Sequence, residues 1–487
     1  MSLDALAEYL ALGFVGSPRS ILDGVRKVRP GTLLVFDDPA LEPRETVYWN
    51  AVGVGAARRR QSPGVSELVE DEHVLEALRS SVRDMMVADV PLGAFLSGGV
   101  DSSLVVALMT ESRPPREIRT FTIGFRERAF DESAYAHEVA RLLGVENTMH
   151  VLSPSDVLAE LDSLCDVIDE PMADFSILPA IAVSKVARRH VTVALTGDGA
   201  DELFGGYRYY VGARWFDLVG SSPPRARRAL AAVGQLPLPG RSGRALRRIG
   251  APDTAAYFGK SGFYRGATAE SESATRFMGG TPGHVRAARW IRECTAQGVA
   301  TPTEAGMLWD ITCTLPDAWL AKVDRASMAV GLETRAPFLA TSVVETALRL
   351  PPSQRAGLWG RKPVLRRLLR RFLPARLVDR PKQGFTVPMR RWLAGELREE
   401  LRDRLARTTC GAVGSSTQRQ CRPCFRSTTG AAATTRRSSG HSCSSTAGWT
   451  ACRSMGLLAN QGRLPVNACA RQDDSRREQD YGGSLHG

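Results

Sequence analysis

The sequence lacks any long apolar run, which argues against a helical membrane protein. No part of the 487 residues approaches the roughly 18 uninterrupted apolar residues that suggest a membrane-spanning helix. The first residues, MSLDALAEYLALGF, have neither a basic start nor a long apolar segment, so we expect no secretory signal peptide. With 43% hydrophobic and 24% charged residues, the composition predicts a soluble, cytoplasmic protein large enough for two or three domains.

Cysteine is scarce over the first 400 residues, where only Cys165, Cys294 and Cys313 occur. Scattered thiols favour a reduced compartment and exclude a disulfide framework there.

The positive charge is concentrated near the C-terminal end. After residue 407 the chain contains ten arginines and only four acidic residues, and residues 408–470 contain no acidic residue at all. Half of the net charge of +12 therefore lies in that segment, and this distribution does not favour a nucleic-acid partner.

Short apolar runs alternate with segments of helical periodicity in the middle of the chain. Strands are predicted at residues 92–96, 119–125, 148–152 and 191–195. Helices are predicted at residues 102–112, 133–143, 155–168 and 177–189. This alternation predicts an α/β fold, a parallel sheet with helices on both faces. After Val211 we expect only helices.

Changes in composition divide the chain into four regions. Residues 1–50 precede a stretch rich in Gly, Ala, Arg and Ser, residues 51–64, which we interpret as a linker. Residues 65–407 carry the alternating pattern. Residues 408–487 lack apolar periodicity and are expected to be disordered, because they bury too little apolar surface to offset the entropy of ordering.

The strongest motif is PLGAFLSGGVDSSLVVALM at residues 91–109. A predicted strand leads into a glycine turn and a helix, so backbone N–H groups, the helix dipole and the hydroxyls of Ser97 and Ser102 are available to an anion. The carboxylate of Asp101 inside such a site is best explained as a Mg²⁺ ligand. The motif is not a Walker A sequence, because it has no Lys-Ser/Thr pair. The candidate phosphate-binding residues of this turn are Leu96, Ser97, Gly98, Gly99, Asp101 and Ser102.

A second motif, LTGDGADELFGGYRYY, occupies residues 195–210 at the end of another predicted strand. Ligands of open α/β sheets bind at this end of the strands. Asp198, Asp201 and Glu202 alternate with glycines there. Three carboxylates beside a polyphosphate require a metal ion or a cationic group, which favours a binding site over a solvated acidic turn.

The two motifs resemble the ATP-pyrophosphatase (PP-loop) superfamily, whose members cleave ATP between the α and β phosphates. SGGVDS at residues 97–102 is similar to its pyrophosphate loop, and FTIGF at residues 121–125 to its second strand. The resemblance implies that Ile123 lies against the adenine and that ATP and Mg²⁺ are bound.

Within that superfamily, TGDGADELFGGY resembles the signature of the asparagine synthetases. The resemblance implies that Thr196 and Gly197 contact ATP. It also implies that Asp198 assists formation of the β-aspartyl adenylate and that Asp201 shares Mg²⁺ with Asp101. The related β-lactam synthetases have tyrosine where this chain has Asp198, which favours asparagine synthetase.

Two later segments also resemble that family. Residues 320–339, LAKVDRASMAVGLETRAPFL, are similar to the helix and turn that close the synthetase site. Whether the charged residues of this segment form a structural salt-bridge network or act in catalysis stays open. RPKQGFTVP at residues 380–388 resembles the segment whose lysine reaches the ATP phosphates, so Lys382 is expected to stabilise the departing pyrophosphate.

Residues 1–50 resemble the last part of the N-terminal glutaminase domain of these enzymes, so we interpret them as a remnant of that domain. The nucleophile of such a domain is an N-terminal cysteine whose own amino group acts as the base. Here Ser2 follows Met1, and the first cysteine is Cys165. We therefore expect ammonia as the nitrogen source, with a separate glutaminase subunit or a homodimer as possible assemblies.

The resemblance implies a ligase that converts aspartate, ATP and ammonia into asparagine, AMP and pyrophosphate. Two alternatives remain open at the level of sequence. One is the same chemistry on another carboxylate or amine in a biosynthetic cluster, and the other is a non-catalytic, truncated synthetase fragment. We expect neither a nucleic-acid nor a membrane partner.

The C-terminal tail is interpreted as the product of a reading-frame error. When residues 411–450 are back-translated with GC-rich codons and read from the third base, the result resembles the C-terminal end of the family. The competing interpretation is a zinc site formed by CRPC at residues 421–424 with His441 and Cys443.

Overall fold

The computed structural model describes residues 1–38, 42–61, 67–161, 163–220, 222–236, 246, 250, 283–299, 301–380, 387–400 and 402–403. Lys382 and the tail predicted from residue 408, with its alternative zinc site, lie outside the described residues.

The strands, in chain order, are β1 (Thr32–Val35), β2 (Arg44–Val47), β3 (Leu92–Phe95), β4 (Arg119–Phe125), β5 (Glu146–Leu152), β6 (Val193–Leu195) and β7 (Glu333–Arg335). The α-helices up to the sixth strand are α1 (Leu3–Leu12), α2 (Ala51–Gln61), α3 (Glu67–Met85), α4 (Val100–Thr110), α5 (Ser133–Leu143), α6 (Pro154–Leu161), α7 (Leu164–Val167) and α8 (Ile177–Arg188). Those after it are α9 (Ala200–Leu203), α10 (Arg208–Gly220), α11 (Pro224–Val233), α12 (Gly283–Ala296), α13 (Pro302–Trp309), α14 (Ala321–Met328), α15 (Thr341–Arg349), α16 (Pro352–Arg355), α17 (Pro363–Leu369), α18 (Ala375–Val378) and α19 (Met389–Ala394). A π-helical segment, Asp310–Leu320, joins α13 to α14, and single 3₁₀ turns lie at Pro115–Glu117 and Pro337–Leu339.

The central sheet has five strands in the order β5-β4-β3-β6-β7, and each neighbouring pair is parallel. From β3 the chain moves outward to β4 and β5, and then returns to place β6 on the other side of β3. The order of strands therefore reverses between β3 and β6, the position at which open parallel sheets bind ligands. The predicted parallel sheet with flanking helices is confirmed.

Several boundaries differ from the sequence predictions. The strand expected at residues 191–195 is shorter, and the helix expected at 155–168 divides into α6 and α7. The expectation of helices alone after Val211 is wrong, because β7 pairs with β6 at the edge of the sheet. A strand of three residues is too short to show alternating hydrophobicity, and only its partner reveals it.

Residues 51–61 form a helix rather than the irregular linker that their composition suggested. The side chain of Asn50 accepts hydrogen bonds from the N–H groups of Val52 (2.9 Å) and Gly53 (3.3 Å), and so caps the helix N-terminus. Ala51, Val52 and Ala56 are buried, and α2 packs against α15. Alanine favours helix, and burial of this face stabilises it.

Two apolar clusters hold the sheet and its helices together. The larger contains most of the apolar residues of α4, including Leu104, Val105 and Leu108, and every residue of this helix from Ser102 to Met109 is buried. The other contains Phe121 and Ile123 of β4 together with residues of α8 and α19. A helix that is apolar on all sides is enclosed by other elements, so the start of α4 is fixed firmly at the end of β3.

The N-terminal segment is fastened to the later part of the chain by polar contacts. The N–H and hydroxyl of Ser17 donate to Asp317 at 2.8 and 2.6 Å. Lys27 forms ion pairs with Glu170 at 3.0 Å and Asp317 at 3.5 Å. In the described part of the chain, no helix combines the length and the apolar character needed to cross a membrane.

Candidate active site

The turn after β3 is held by hydrogen bonds on both sides. Leu96 donates its N–H to the carbonyl of Phe121 at 2.9 Å and accepts the hydroxyl of Thr122 at 2.7 Å. The N–H of Ser97 donates to the hydroxyl oxygen of Ser102 at 3.1 Å, and the two hydroxyl oxygens are also 3.1 Å apart. The turn is therefore closed on itself by the two serines that the sequence assigned to phosphate binding.

Gly98 adopts the left-handed conformation, with φ of 69°. A Cβ at this position would lie 2.6 Å from the N atom of Ala136, so only glycine lets the turn approach α5 so closely. Gly99 follows as the N-cap of α4. Asp101 and Ser102 then lie in the first turn of that helix, where its dipole favours negative charge.

Arg380 fastens the same turn from the far end of the described chain. Its guanidinium donates to the carbonyl of Gly98 at 2.8 Å and to Glu132 at 2.6 Å. It also lies over the ring of Tyr135, 4.1 Å from the ring centroid. Sequence reasoning assigned no role to Arg380, although it is the first residue of the segment 380–388 predicted to reach the phosphates.

The turn after β6 lies directly against the first one. Thr196 is buried and its N–H donates to the carbonyl of Arg335 in β7 at 2.8 Å. A Cβ on Gly197 would lie 2.9 Å from the Cβ of Asp101 and 3.1 Å from the N atom of Ser102. The absence of a side chain at Gly197 thus allows the two predicted ATP-binding loops to touch.

Asp198 follows Gly197 in the loop after β6, close enough to Asp101 and Asp201 to be influenced by their charges. Burial raises the pKa of its carboxyl, and the opposing effects of the Thr196 hydroxyl and the Lys322 ammonium do not cancel this. Nearby Asp101 and Asp201 raise the pKa further. Ile123, the predicted adenine contact, is buried in the smaller apolar cluster on β4.

Asp101 and Asp201 converge on one cation, the side chain of Lys362. The ammonium nitrogen lies 2.5 Å from Oδ1 of Asp101 and 2.6 Å from Oδ1 of Asp201, and the lysine side chain is only 4% exposed. Burial alone lowers the pKa of Lys362, but the two carboxylates outweigh this and raise it, so the side chain stays charged. The two predicted Mg²⁺ ligands, a hundred residues apart in sequence, therefore meet at one cation position.

The surroundings of this position leave little free space. A Cβ on Gly206 would lie 1.6 Å from Oδ1 of Asp201 and 2.2 Å from Cε of Lys362. Among the described residues, no group of three or more His, Cys, Asp or Glu side chains is arranged for a metal ion. Mg²⁺ is commonly held by one or two carboxylates together with substrate phosphates, and the pair Asp101–Asp201 fits that requirement.

Glu202, the third acid of the motif, does not face the phosphate turn as expected. It is buried, and its carboxylate accepts the hydroxyl of Tyr207 at 2.5 Å. Burial, followed by the charges of Asp201 and Asp310, raises its pKa to about 8. Because Glu202 is largely neutral at pH 7, it is unsuited to binding a cation there.

The charged residues of the 320–339 segment form ion pairs. Lys322 contacts Asp174 at 2.9 Å and the hydroxyl of Ser176 at 2.8 Å. Arg335 pairs with Glu333 at 2.6 Å, and Arg325 pairs with Asp324. The contacts agree with the salt-bridge interpretation, and Lys322 also acts electrostatically on Asp198.

Lys362 was missed at the level of sequence. It precedes Pro363 at the start of an apolar helix, a pattern that indicates a helix N-terminus and nothing more. Its partner Asp101 is 261 residues away. Lys362 also has a positive φ of 53°, which is found at no other non-glycine residue in the described ranges.

The amino-acid sequence is similar to those of several known proteins. Residues 73–451 match the protein family described as asparagine synthase. A protein of Mycobacterium tuberculosis named putative asparagine synthetase (glutamine-hydrolyzing) is 34% identical over 409 residues, which cover 81% of this chain and 59% of that protein. Asparagine synthetase (glutamine-hydrolyzing) 1 of Bacillus subtilis is 31% identical over 404 residues, covering 82% and 61%. An amidase of Gibberella zeae is 24% identical over 439 residues, covering 81% and 63%.

The chain thus spans about three-fifths of the length of these relatives. The family match runs past residue 407, where the sequence analysis ended the synthetase region. The frame error stays a prediction, which sequencing of the coding DNA around codons 405–411 tests.

Proposed function

Because the chain belongs to the asparagine synthase family, we propose that it uses ATP to convert aspartate into asparagine through a β-aspartyl adenylate. AMP and pyrophosphate are the other products. The observation that carries the proposal is the meeting of Asp101 and Asp201 at one buried cation position beside the glycine turn.

The proposed roles are supported by the contact between the two loops, except that of Lys382, which rests on the sequence resemblance. The phosphates of ATP lie against the turn from Leu96 to Ser102, where N–H groups and hydroxyls are available. Asp101 and Asp201 would hold Mg²⁺, which would neutralise phosphate charge. Thr196 and Gly197 contact the nucleotide from the adjoining loop, and Ile123 packs against the adenine. Lys382 adds positive charge for the departing pyrophosphate.

The chemistry proceeds in two steps. A carboxylate oxygen of aspartate attacks the α-phosphorus, and the bond to the bridging oxygen breaks, so that its electron pair leaves with pyrophosphate. Ammonia then attacks the acyl carbon of the adenylate. AMP leaves with the electrons of the acyl–oxygen bond, and one proton is released from nitrogen. We assign to Asp198, whose carboxyl is influenced electrostatically by Lys322, the role of assisting the first step.

We propose that the nitrogen enters as ammonia, either free or supplied by a separate glutaminase subunit. In support of this, no cysteine precedes Cys165 in these 487 residues, so they do not themselves contain the cysteine nucleophile of such a glutaminase domain. Glutamine alone should therefore give no asparagine with the purified chain. Release of glutamate from glutamine by that sample would contradict this part of the proposal.

Exchange of labelled pyrophosphate into ATP tests the adenylation step by itself, because it needs no nitrogen donor. We expect exchange that depends on aspartate. Exchange driven by another carboxylic acid instead would favour the alternative of a related amidotransferase. The absence of exchange with any acid in a folded sample would favour a non-catalytic fragment.

A further inference from the structure

Lys362 occupies the position at which the two proposed Mg²⁺ ligands meet. Its ammonium lies within 2.6 Å of both carboxylates. Three further features show that this placement is built into the fold. Its side chain is almost completely buried, its backbone has the unfavourable left-handed conformation, and Gly206 leaves room for it.

The arrangement solves an electrostatic problem. Two carboxylates held at one point of a buried site repel each other, and this repulsion is costly unless a cation lies between them. A lysine ammonium carries a single compact charge on a flexible stem. It can therefore neutralise much of this repulsion, and it competes with any other cation for the same oxygens.

We propose that Lys362 is a resident cation that holds Asp101 and Asp201 in place and weakens their affinity for Mg²⁺ in the absence of nucleotide. The metal then binds together with the substrate phosphates, whose negative charge allows two cations to share the site. Lys362 is thus a positioning residue that makes metal binding depend on ATP. This inference rests on the proposed function insofar as Asp101 and Asp201 are taken as the metal ligands.

The test measures binding of Mg²⁺ alone, without ATP, by calorimetry and by the metal dependence of Tm. For Lys362→Met we expect a Tm below that of the wild type without metal, and recovery of several degrees in millimolar Mg²⁺ at constant ionic strength. The affinity for Mg²⁺ should rise at least about 10-fold over the wild type, since a competing charge has been removed. The double variant Lys362→Met/Asp101→Asn should lose this gain.

Lys27 offers a matched control, because it also bridges two carboxylates, Glu170 and Asp317, away from the phosphate turn. These accept additional hydrogen bonds from Ile21 and Ser17. Lys27→Met should therefore lower the Tm without making it depend on Mg²⁺. If Mg²⁺ raised the Tm of Lys27→Met as much as that of Lys362→Met, the inference would be overturned, because the effect of removing the lysine charge would be nonspecific.

The wild type gives a second, independent measurement if Lys362→Met does not fold. Its calorimetric titration with Mg²⁺ alone should show little binding, whereas titration with preformed Mg²⁺–ATP, corrected for the heat of diluting the same mixture into buffer, should show clear binding. Tight binding without nucleotide would overturn the proposal. Because no turnover is measured, these outcomes are independent of the pyrophosphate exchange that tests the proposed function.

Discussion

The two halves of the site differ in the charges they contribute. The loops after β3 and β6 supply the carboxylates of Asp101, Asp198 and Asp201, together with the backbone of the glycine turns. The later, mostly helical part supplies two of the cations that meet these loops, Lys362 and Arg380. The acids lie within short motifs at strand ends, whereas each cation comes from a separate element.

The same division extends around the site. Asp174 of the first part pairs with Lys322 of the second, and Asp71 of α3 pairs with Arg367 of α17 at 2.6 Å. At each of these contacts the first part contributes the negative charge and the second part contributes the positive charge. The comparison indicates that the sheet positions the site, while the helical part neutralises the negative charge of its carboxylates. Substitutions in the two parts should therefore have different consequences.

The largest expected effect comes from the carboxylate side. Asp101→Asn removes a proposed metal ligand, and we expect aspartate-dependent pyrophosphate exchange to fall by at least about 100-fold. Asp324→Asn is the control, because Asp324 is an exposed acid paired with Arg325, and it should leave exchange nearly unchanged. Exchange close to the wild-type rate in Asp101→Asn would show that the metal assignment is wrong.

Substitution of a cation of the site should also have a large effect, on the free energy of unfolding rather than on pyrophosphate exchange. Arg380→Met leaves the partly buried carboxylate of Glu132, 14% exposed, without its guanidinium, and the loss should approach the roughly 3–5 kcal/mol that breaking a fully buried pair costs. Arg376→Met removes an exposed pair with Glu138 and should have little effect on stability, because solvent screens such a pair. Denaturant unfolding of both variants measures the difference, and equal losses would contradict the importance assigned to Arg380.

An intermediate effect is expected where the two halves touch. Gly206→Ala places a methyl group against Asp201 and Lys362, and overpacking of this kind costs about 1–3 kcal/mol. Gly53→Ala is its counterpart in α2, where a Cβ meets nothing within 4 Å, and it should stabilise by up to about 1 kcal/mol. Thermal unfolding distinguishes them, and a neutral Gly206→Ala would show that the site tolerates expansion.

The smallest effect should appear in the pH dependence of stability. Burial alone raises the pKa of Asp174, but Lys322 and Ser176 outweigh it and lower the pKa below its usual value of 3.8. A lowered pKa in the folded state means that the ion pair stabilises the protein above the unfolded pKa and that this contribution is lost as the pH falls through the folded one.

Asp174→Asn should therefore be less stable than the wild type near pH 7, and the gap should narrow on acidification below about pH 4. The change is expected to be small because asparagine can still accept the hydrogen bond from the N–H of Ser176. A gap that stays constant with pH would show that the charge of Asp174 does not contribute.

Much of the fold could be predicted because its signals are local. The strand at residues 119–125 and the helix at 133–143 were predicted with the observed bounds, since each has a clear apolar pattern and a definite end. The phosphate turn was predicted for the same reason, because six neighbouring residues carry both its conformation and its chemistry. The short β7 and the α2 helix were missed because only their partners, β6 and α15, distinguish them from a connector.

Local sequence patterns are enough to show where the two loops lie along the chain and which acids they carry. Which of these charges meet depends on the packing of the whole chain. Glu202 turns into a buried contact with Tyr207, whereas Asp201 turns toward Lys362, and adjacent positions in one motif do not reveal this difference. A loop conformation depends on a few consecutive residues, but a contact between Asp101 and a lysine 261 residues away depends on how whole elements pack, and no local pattern records it.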